Sequence, residues 1–162
     1  MRSAKRPKPR SILSIDVGSR RIGLAGCDPL GITVSILRPI KRSNFELDLN
    51  KIQLVCKERN VKGLVIGIPL DDSGLLTKQA IFIMNYGTKL AEAVNLPIAW
   101  VNEHSTTWAA ANQHNLHNDR TGKLDSASAG LILEQWLKEG PELMPVKAAS
   151  YNLKNVSCNT GS

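Results

Sequence analysis

Three acidic side chains at widely separated positions could together bind a divalent metal ion. Asp16 ends an apolar, strand-like run just before a turn at Gly18, and Glu103 follows a second apolar run. Asp125 lies four residues before Ala129, so it extends the apolar face of a predicted helix by one turn. Carboxylate oxygens suit Mg²⁺, and phosphodiester hydrolysis uses such oxygens around one or two metal ions. The three acids therefore predict a Mg²⁺-dependent hydrolase, with Mn²⁺ as a substitute metal.

Each acid also has a purely structural interpretation. Asp16 could cap the turn that follows it. Asp125 could stabilise the positive end of a helix dipole, and Glu103 could be an exposed acid at a strand end. The residues alone leave these alternatives open.

Basic side chains flank two of the acids. Arg20 and Arg21 follow Asp16, and Lys123 precedes Asp125. Cations beside a metal site are what a nucleic-acid backbone requires, so these three residues are candidate substrate contacts. They could equally be solvated charges that balance the acids.

Composition limits the class of protein. The chain has 162 residues and 42% hydrophobic residues, which predicts one globular domain. Its formal charge is +7, and five basic residues fall within residues 1–10, which we interpret as a flexible arm. Three widely spaced cysteines argue against a disulfide framework. With no apolar run long enough to cross a bilayer and no signal-peptide pattern, we expect a cytoplasmic protein without a membrane partner.

Hydrophobic periodicity predicts the elements that would position these residues. The predicted strands are 12–17, 22–27, 32–36, 64–68 and 98–101, and the predicted helices are 45–56, 80–94, 108–112 and 129–137. The domain is expected to span 11–140, followed by a mobile C-terminal tail at 141–162. Three strands followed by βα units indicate an α/β fold with a mixed five-stranded sheet and helices on both faces.

Four segments resemble the YqgF or RuvX-like family, whose members are described as Holliday junction resolvases and as nucleases of pre-16S rRNA. The segments, in chain order, are 15–23 (IDVGSRRIG), 65–70 (VIGIPL), 102–107 (NEHSTT) and 123–129 (KLDSASA). They cover residues 12 to about 138. Any one of them is weak, but their order makes the resemblance specific.

The resemblance implies a ribonuclease H-like fold and nuclease activity. It puts Asp16, Glu103 and Asp125 at the positions of the metal-binding acids, with the loop 67–69 beside the same cleft. The implied substrate is precursor 16S rRNA, with junction DNA as the alternative. Either a monomer or a homodimer is compatible with the sequence.

One segment departs from the family pattern. Where the family commonly reads Asp-Glu-Arg-Leu, this chain has Asn102, Glu103, His104 and Ser105. A carboxylate and a guanidinium are absent, although His104 could still meet a phosphate when charged. The departure motivates a second hypothesis, a nucleic-acid-binding protein with impaired catalysis.

A third hypothesis comes from the Asp-x-Gly sequence that starts at Asp16. This sequence followed by a hairpin also opens actin-like and sugar-kinase ATPases. Those proteins close two such domains over ATP. A chain of 162 residues has room for one such domain, which argues against an ATPase.

Overall fold

The computed structural model describes residues 10–69, 76–103 and 123–147, with the side chains of residues 123–125 excluded. Five strands form one sheet in the order β3-β2-β1-β4-β5, in which β1–β2 and β2–β3 are antiparallel and β1–β4 and β4–β5 are parallel. The strands are β1 (Ile12–Val17), β2 (Arg21–Cys27), β3 (Val34–Lys41), β4 (Gly63–Ile68) and β5 (Ile98–Asn102). The helices are α1 (Phe45–Glu58), α2 (Lys78–Val94) and α3 (Lys123–Glu139). The predicted mixed five-stranded sheet is confirmed.

The helices cover opposite faces of this sheet, as predicted. One buried cluster packs Leu13 and Ile15 of β1 against side chains of α1 and α2, such as Ile52 and Leu90. A second cluster packs the other face, including Ile12, against α3. Alternate residues of β1 therefore serve different helices, since side chains of a strand point to alternating faces.

The helices begin at residues that satisfy their free amide groups. Asn44 accepts a hydrogen bond from the amide of Leu47 at the start of α1, and Thr77 accepts one from Ala80 at the start of α2. Asn95 ends α2 in the left-handed conformation. These local signals fix where the chain enters and leaves the helical layer.

The third strand differs from its predicted range, 32–36. The carboxylate of Asp28 accepts hydrogen bonds from the amides of Leu30, Ile32 and Thr33, which holds this stretch as a turn. Ile32 is therefore exposed, and the strand begins at Val34 and runs to Lys41. The alternating pattern does indicate a strand, but a side-chain-stabilised turn displaces its start.

Residues 141–147, which the sequence assigns to the tail, contact the domain. Met144 exchanges backbone hydrogen bonds with Ile98, with N–O distances of 2.8 and 2.9 Å. The indole of Trp136 donates to the carbonyl of Pro141 at 2.6 Å, and Arg10 forms an ion pair with Glu142 at 2.9 Å. Residues 1–9 and 148–162 lie outside the described residues. Among the helices described, none is long and apolar enough to span a membrane.

Candidate active site

Asp16 projects from the sheet face that α3 covers. It is half-buried in β1 and pairs directly with Gly23 of β2. The neighbouring β1 residues on the same face, Ile12 and Ser14, are fully buried. Asp16 therefore lies where the packed part of this face opens toward its end.

Glu103 comes to the same place from the other half of the sheet. It follows β5 directly, and its amide donates to the carbonyl of Ile68 at 3.0 Å, so it continues the pairing of β5 with β4. Val101, two residues earlier, packs with the α3 cluster. The side chain of Glu103 is half-buried on that face and forms a hydrogen bond with the side chain of Asp16. The structure thus joins two of the three predicted acids.

Gly67 leaves the space through which Glu103 reaches Asp16. A Cβ atom at this position would overlap Oε1 of Glu103, and it would lie 2.5 Å from Cδ1 of Ile132 and 3.0 Å from Cγ of Glu103. Carbon atoms in contact are normally about 3.5–4.0 Å apart. The glycine predicted to border the cleft is therefore a position where any side chain would displace the acid.

The surroundings of Glu103 favour its neutral form. Burial raises the pKa of its carboxyl group, and the hydrogen bond with Asp16 opposes this in part. Oε1 of Glu103 is buried and has no hydrogen-bond partner among the described residues. Two adjacent carboxyl groups need either a shared proton or a cation between them, because two bare negative charges repel each other.

The backbone of α3 brings residue 125 near this pair. Asp125 lies in the first turn of α3, and the next residue, Ser126, is fully buried. The hydroxyl of Ser126 accepts a hydrogen bond from the amide of Leu24 at 3.3 Å. Leu24 follows Gly23, the pairing partner of Asp16. The side chain of Asp125 lies outside the described residues, so its contribution stays a prediction.

The turn that follows Asp16 carries the two predicted arginines. Gly18 donates its amide to the carbonyl of Arg21 at 2.9 Å. Arg42 holds this turn in two ways: its guanidinium donates to the carbonyl of Gly18 at 3.0 Å, and its amide donates to the carbonyl of Arg20 at 2.8 Å. Arg20 is exposed and Arg21 is half-buried. Both lie at the end of the sheet that carries Asp16.

Sequence reasoning missed the residue that supports Arg42. The helical pattern assigns Asp48 to the polar side of α1, but this residue is 1% exposed. Its carboxylate accepts hydrogen bonds from the amide of Ser43 and the hydroxyl of Tyr86, both at 3.0 Å. The guanidinium of Arg42 lies 5.6 Å from the ring centroid of Tyr86, a cation–π contact. Only the tertiary arrangement reveals this chain of contacts, because Tyr86 is far from Arg42 and Asp48 in the sequence.

The substituted position, Asn102, does not share the pocket of the acid pair. It is exposed, and it precedes Glu103 by one residue, so its side chain points to the opposite face. Trp100, two residues earlier, packs with the cluster of α1 and α2. The difference from the family pattern at Asn102 therefore leaves Glu103 in place beside Asp16.

The remaining predicted contacts lie outside the described residues. These are His104, the side chain of Lys123 and the predicted helix 108–112. Within the described part of the chain, no group of three or more His, Cys, Asp or Glu residues is arranged to hold a metal ion. The two acids that are described do fit a hard divalent cation, because a buried carboxylate oxygen, which no described residue donates to, lies beside a second carboxyl group.

Comparison with known proteins shows what this chain is similar to. The family model described as RuvX, Holliday junction resolvase, matches residues 10–139. A protein from Prochlorococcus marinus (strain SARG) is 62% identical over 141 residues, covering 87% of this chain and 92% of the relative. One from strain MIT 9313 of the same species is 57% identical over 160 residues and covers 99% of both chains. Both relatives carry the name "Putative pre-16S rRNA nuclease".

A solved structure supports the fold. Thermus thermophilus RuvC in complex with a Holliday junction substrate matches with a TM-score of 0.51 and 12% identity, covering 76% of this chain and 91% of that one. At this identity the likeness bears on architecture alone. The fold is ribonuclease H-like, as the sequence resemblance implied.

Proposed function

The chain belongs to the RuvX family, described as Holliday junction resolvase, and we propose that it is a metal-dependent endonuclease that hydrolyses phosphodiester bonds. The proposed substrate is the 5′ end of precursor 16S rRNA. The names of the two Prochlorococcus relatives support this choice over branched DNA, since one of them aligns with nearly the whole chain.

The observation that carries the proposal is the contact between Asp16 and Glu103. Two acids from distant parts of the chain share a hydrogen bond, and Oε1 of Glu103 is buried without a donor among the described residues. A protein interior rarely leaves such an atom unsatisfied unless the site has a further role. A divalent cation would satisfy both carboxylates at once.

Asp16, Glu103 and Asp125 are the residues that would hold the metal. A bound Mg²⁺ supplies a Lewis acid for the phosphoryl group and makes water more acidic. Glu103 would contribute its buried Oε1, and Asp16 would contribute a carboxylate oxygen from β1. Arg20 and Arg21 lie at the same end of the sheet, where they would orient phosphate groups and offset the charge that develops in the reaction.

The test compares cleavage and metal binding in matched variants. Asp16→Asn and Glu103→Gln preserve shape but remove the ligand charge, whereas Glu46→Gln makes the same change on the exposed surface of α1. We expect the wild type and the α1 variant to cleave a precursor 16S rRNA fragment in Mg²⁺ or Mn²⁺, and the two site variants to lose at least about 10²-fold in rate. Calorimetry should show weaker Mg²⁺ binding in the same two variants.

Cleavage by Asp16→Asn at the wild-type rate would refute this mechanism. A four-way DNA junction, assayed in parallel, tests the alternative substrate that the family description favours. Selective cleavage of the junction would make the protein a resolvase. Binding of either nucleic acid without cleavage or Mg²⁺ uptake would instead support the hypothesis of impaired catalysis.

A further inference from the structure

Resting on the nuclease function proposed above, we propose that a basic pocket on the outer strands β2 and β3 holds the phosphodiester backbone of the substrate strand. The pocket has a volume of about 430 Å³. It is lined by Arg20, Arg21, Arg38, Pro39 and Lys41. Arg38 and Lys41 were not among the residues that the sequence singled out.

Strand pairing assembles these residues from two segments of the chain. Arg21 of β2 pairs directly with Lys41 of β3. The next pairs are Ile22 with Ile40 and Leu24 with Leu37, so one β2 residue faces two β3 residues, Arg38 and Pro39. This is a β-bulge, a feature that redirects side chains and increases local twist. The bulge contains Arg38, which is a further cation in the lining of the pocket.

The described lining of the pocket carries positive charge that no acidic residue of that lining balances. Of the described residues that line it, four are basic and none is acidic. Arg20, Arg38 and Lys41 are exposed and form no ion pair with any residue that the structure describes. Arg21 and Lys41 lie directly opposite each other on paired strands, so two cationic side chains start from neighbouring positions. A phosphate group is attracted by cations of this kind and accepts charge-assisted hydrogen bonds from them.

The pocket lies on the same face of the sheet as the acid pair. Asp16 pairs with Gly23, and Arg21 is two residues from Gly23 along β2. Lys41 pairs with Arg21, so the side chains of Asp16, Arg21 and Lys41 start from the same face. From ordinary strand dimensions, the Cα of Arg21 lies about 8 Å from that of Asp16, and the Cα of Lys41 about 12 Å from it. One nucleic-acid strand can therefore occupy the pocket and reach the acids.

The test measures how binding depends on salt. The slope of log K against log salt is negative, and each lost phosphate contact makes it shallower by about 0.7 for a single strand. Arg38→Gln combined with Lys41→Gln should therefore make the slope shallower by about 1.4. The loss of affinity should be much the same for RNAs of different sequence. Fluorescence anisotropy with a labelled single-stranded RNA in EDTA measures this without any cleavage.

A control removes the same charge elsewhere. Lys51→Gln combined with Lys57→Gln changes two exposed lysines of α1, which packs on the opposite face of the sheet. We expect this control to keep the wild-type slope. Equal slopes in all three proteins, or equal losses in both variants, would overturn the pocket, whether or not the wild type cleaves RNA.

Competition separates a strand site from a general anion site. An unlabelled oligonucleotide should displace the labelled RNA from the wild type at concentrations at which inorganic phosphate and a mononucleotide do not. If inorganic phosphate competes as well as the oligonucleotide, the pocket binds free anions and the assignment to a nucleic-acid strand fails. Because these measurements contain no metal, they stand apart from the test of the nuclease function.

Discussion

Substitution of Gly67 by alanine tests how the acid pair is held together. The added Cβ would lie 2.5 Å from Cδ1 of Ile132, about 1 Å inside normal carbon contact, and it would also overlap Oε1 of Glu103. Ile132 is fully buried in the α3 cluster and cannot easily retreat. Overpacking of this kind destabilises proteins by about 1–3 kcal/mol, or by several degrees in Tm for a chain of this size.

The same substitution should displace the carboxylate of Glu103. A misplacement of about 1 Å at a reacting centre can lower a rate by about 10²-fold. We therefore expect Gly67→Ala to lower Tm, to weaken Mg²⁺ binding in calorimetry, and to reduce single-turnover cleavage to about that extent. These three measurements separate loss of stability from loss of the site.

A double-mutant cycle identifies the clash itself. Ile132→Val removes the Cδ1 atom that the new Cβ would meet, and alone it should cost about 0.5–1.5 kcal/mol. In the Gly67→Ala background we expect it to restore part of the lost stability, giving a favourable coupling of about 1 kcal/mol. The reasoning is wrong if Gly67→Ala is as stable and active as the wild type, or if the two changes are simply additive.

Three further predictions concern buried polar groups. Because burial raises the pKa of Glu103, the folded state holds that proton more tightly than the unfolded state. The stability that this group contributes is therefore complete below the ordinary carboxyl pKa and is lost as the pH rises through the pKa of Glu103 in the folded protein. Glu103→Gln should flatten the Tm–pH curve in this range. Parallel curves for the variant and the wild type would contradict the prediction. The hydroxyl of Ser14 is buried and has no partner among the described residues. Ser14→Ala should therefore leave the free energy of unfolding, measured in urea, unchanged or raise it by up to about 1 kcal/mol. A clear loss of stability would count against this prediction. Asp48→Ala should cost about 3 kcal/mol and Tyr86→Phe about 1 kcal/mol in the same assay, since the first removes a charged acceptor and the second only one donor; equal losses would be inconsistent with this ranking.

Most of the fold follows from patterns within single segments. Alternation and apolar runs located all five strands, and the apolar stripe at Ala129, Ile132 and Trp136 located α3. The approach of Asp16 and Glu103 was also predictable, because they lie at the carboxyl ends of β1 and β5, which run in the same direction. The turn made by Asp28 was not, since it depends on which amides one carboxylate accepts.

Features that arise from pairing between segments could not be predicted. Asp48 looks like a surface acid of α1 until Tyr86 of α2 lies against it. Arg38 and Lys41 are distant in sequence from Arg21, and the strand register alone brings them together. Pro39 within β3 normally argues against a strand, and only a bulge at the outer position accommodates it.

The two outer strands also bear on how copies of this chain can meet. Pro39 offers no amide hydrogen, and the bulge beside it breaks the regular row of hydrogen-bonding groups along β3. At the other border, Met144 already occupies the free backbone groups of Ile98 in β5. Among the described residues, neither border offers a long uninterrupted template for a neighbouring molecule, a feature that disfavours β-sheet aggregation.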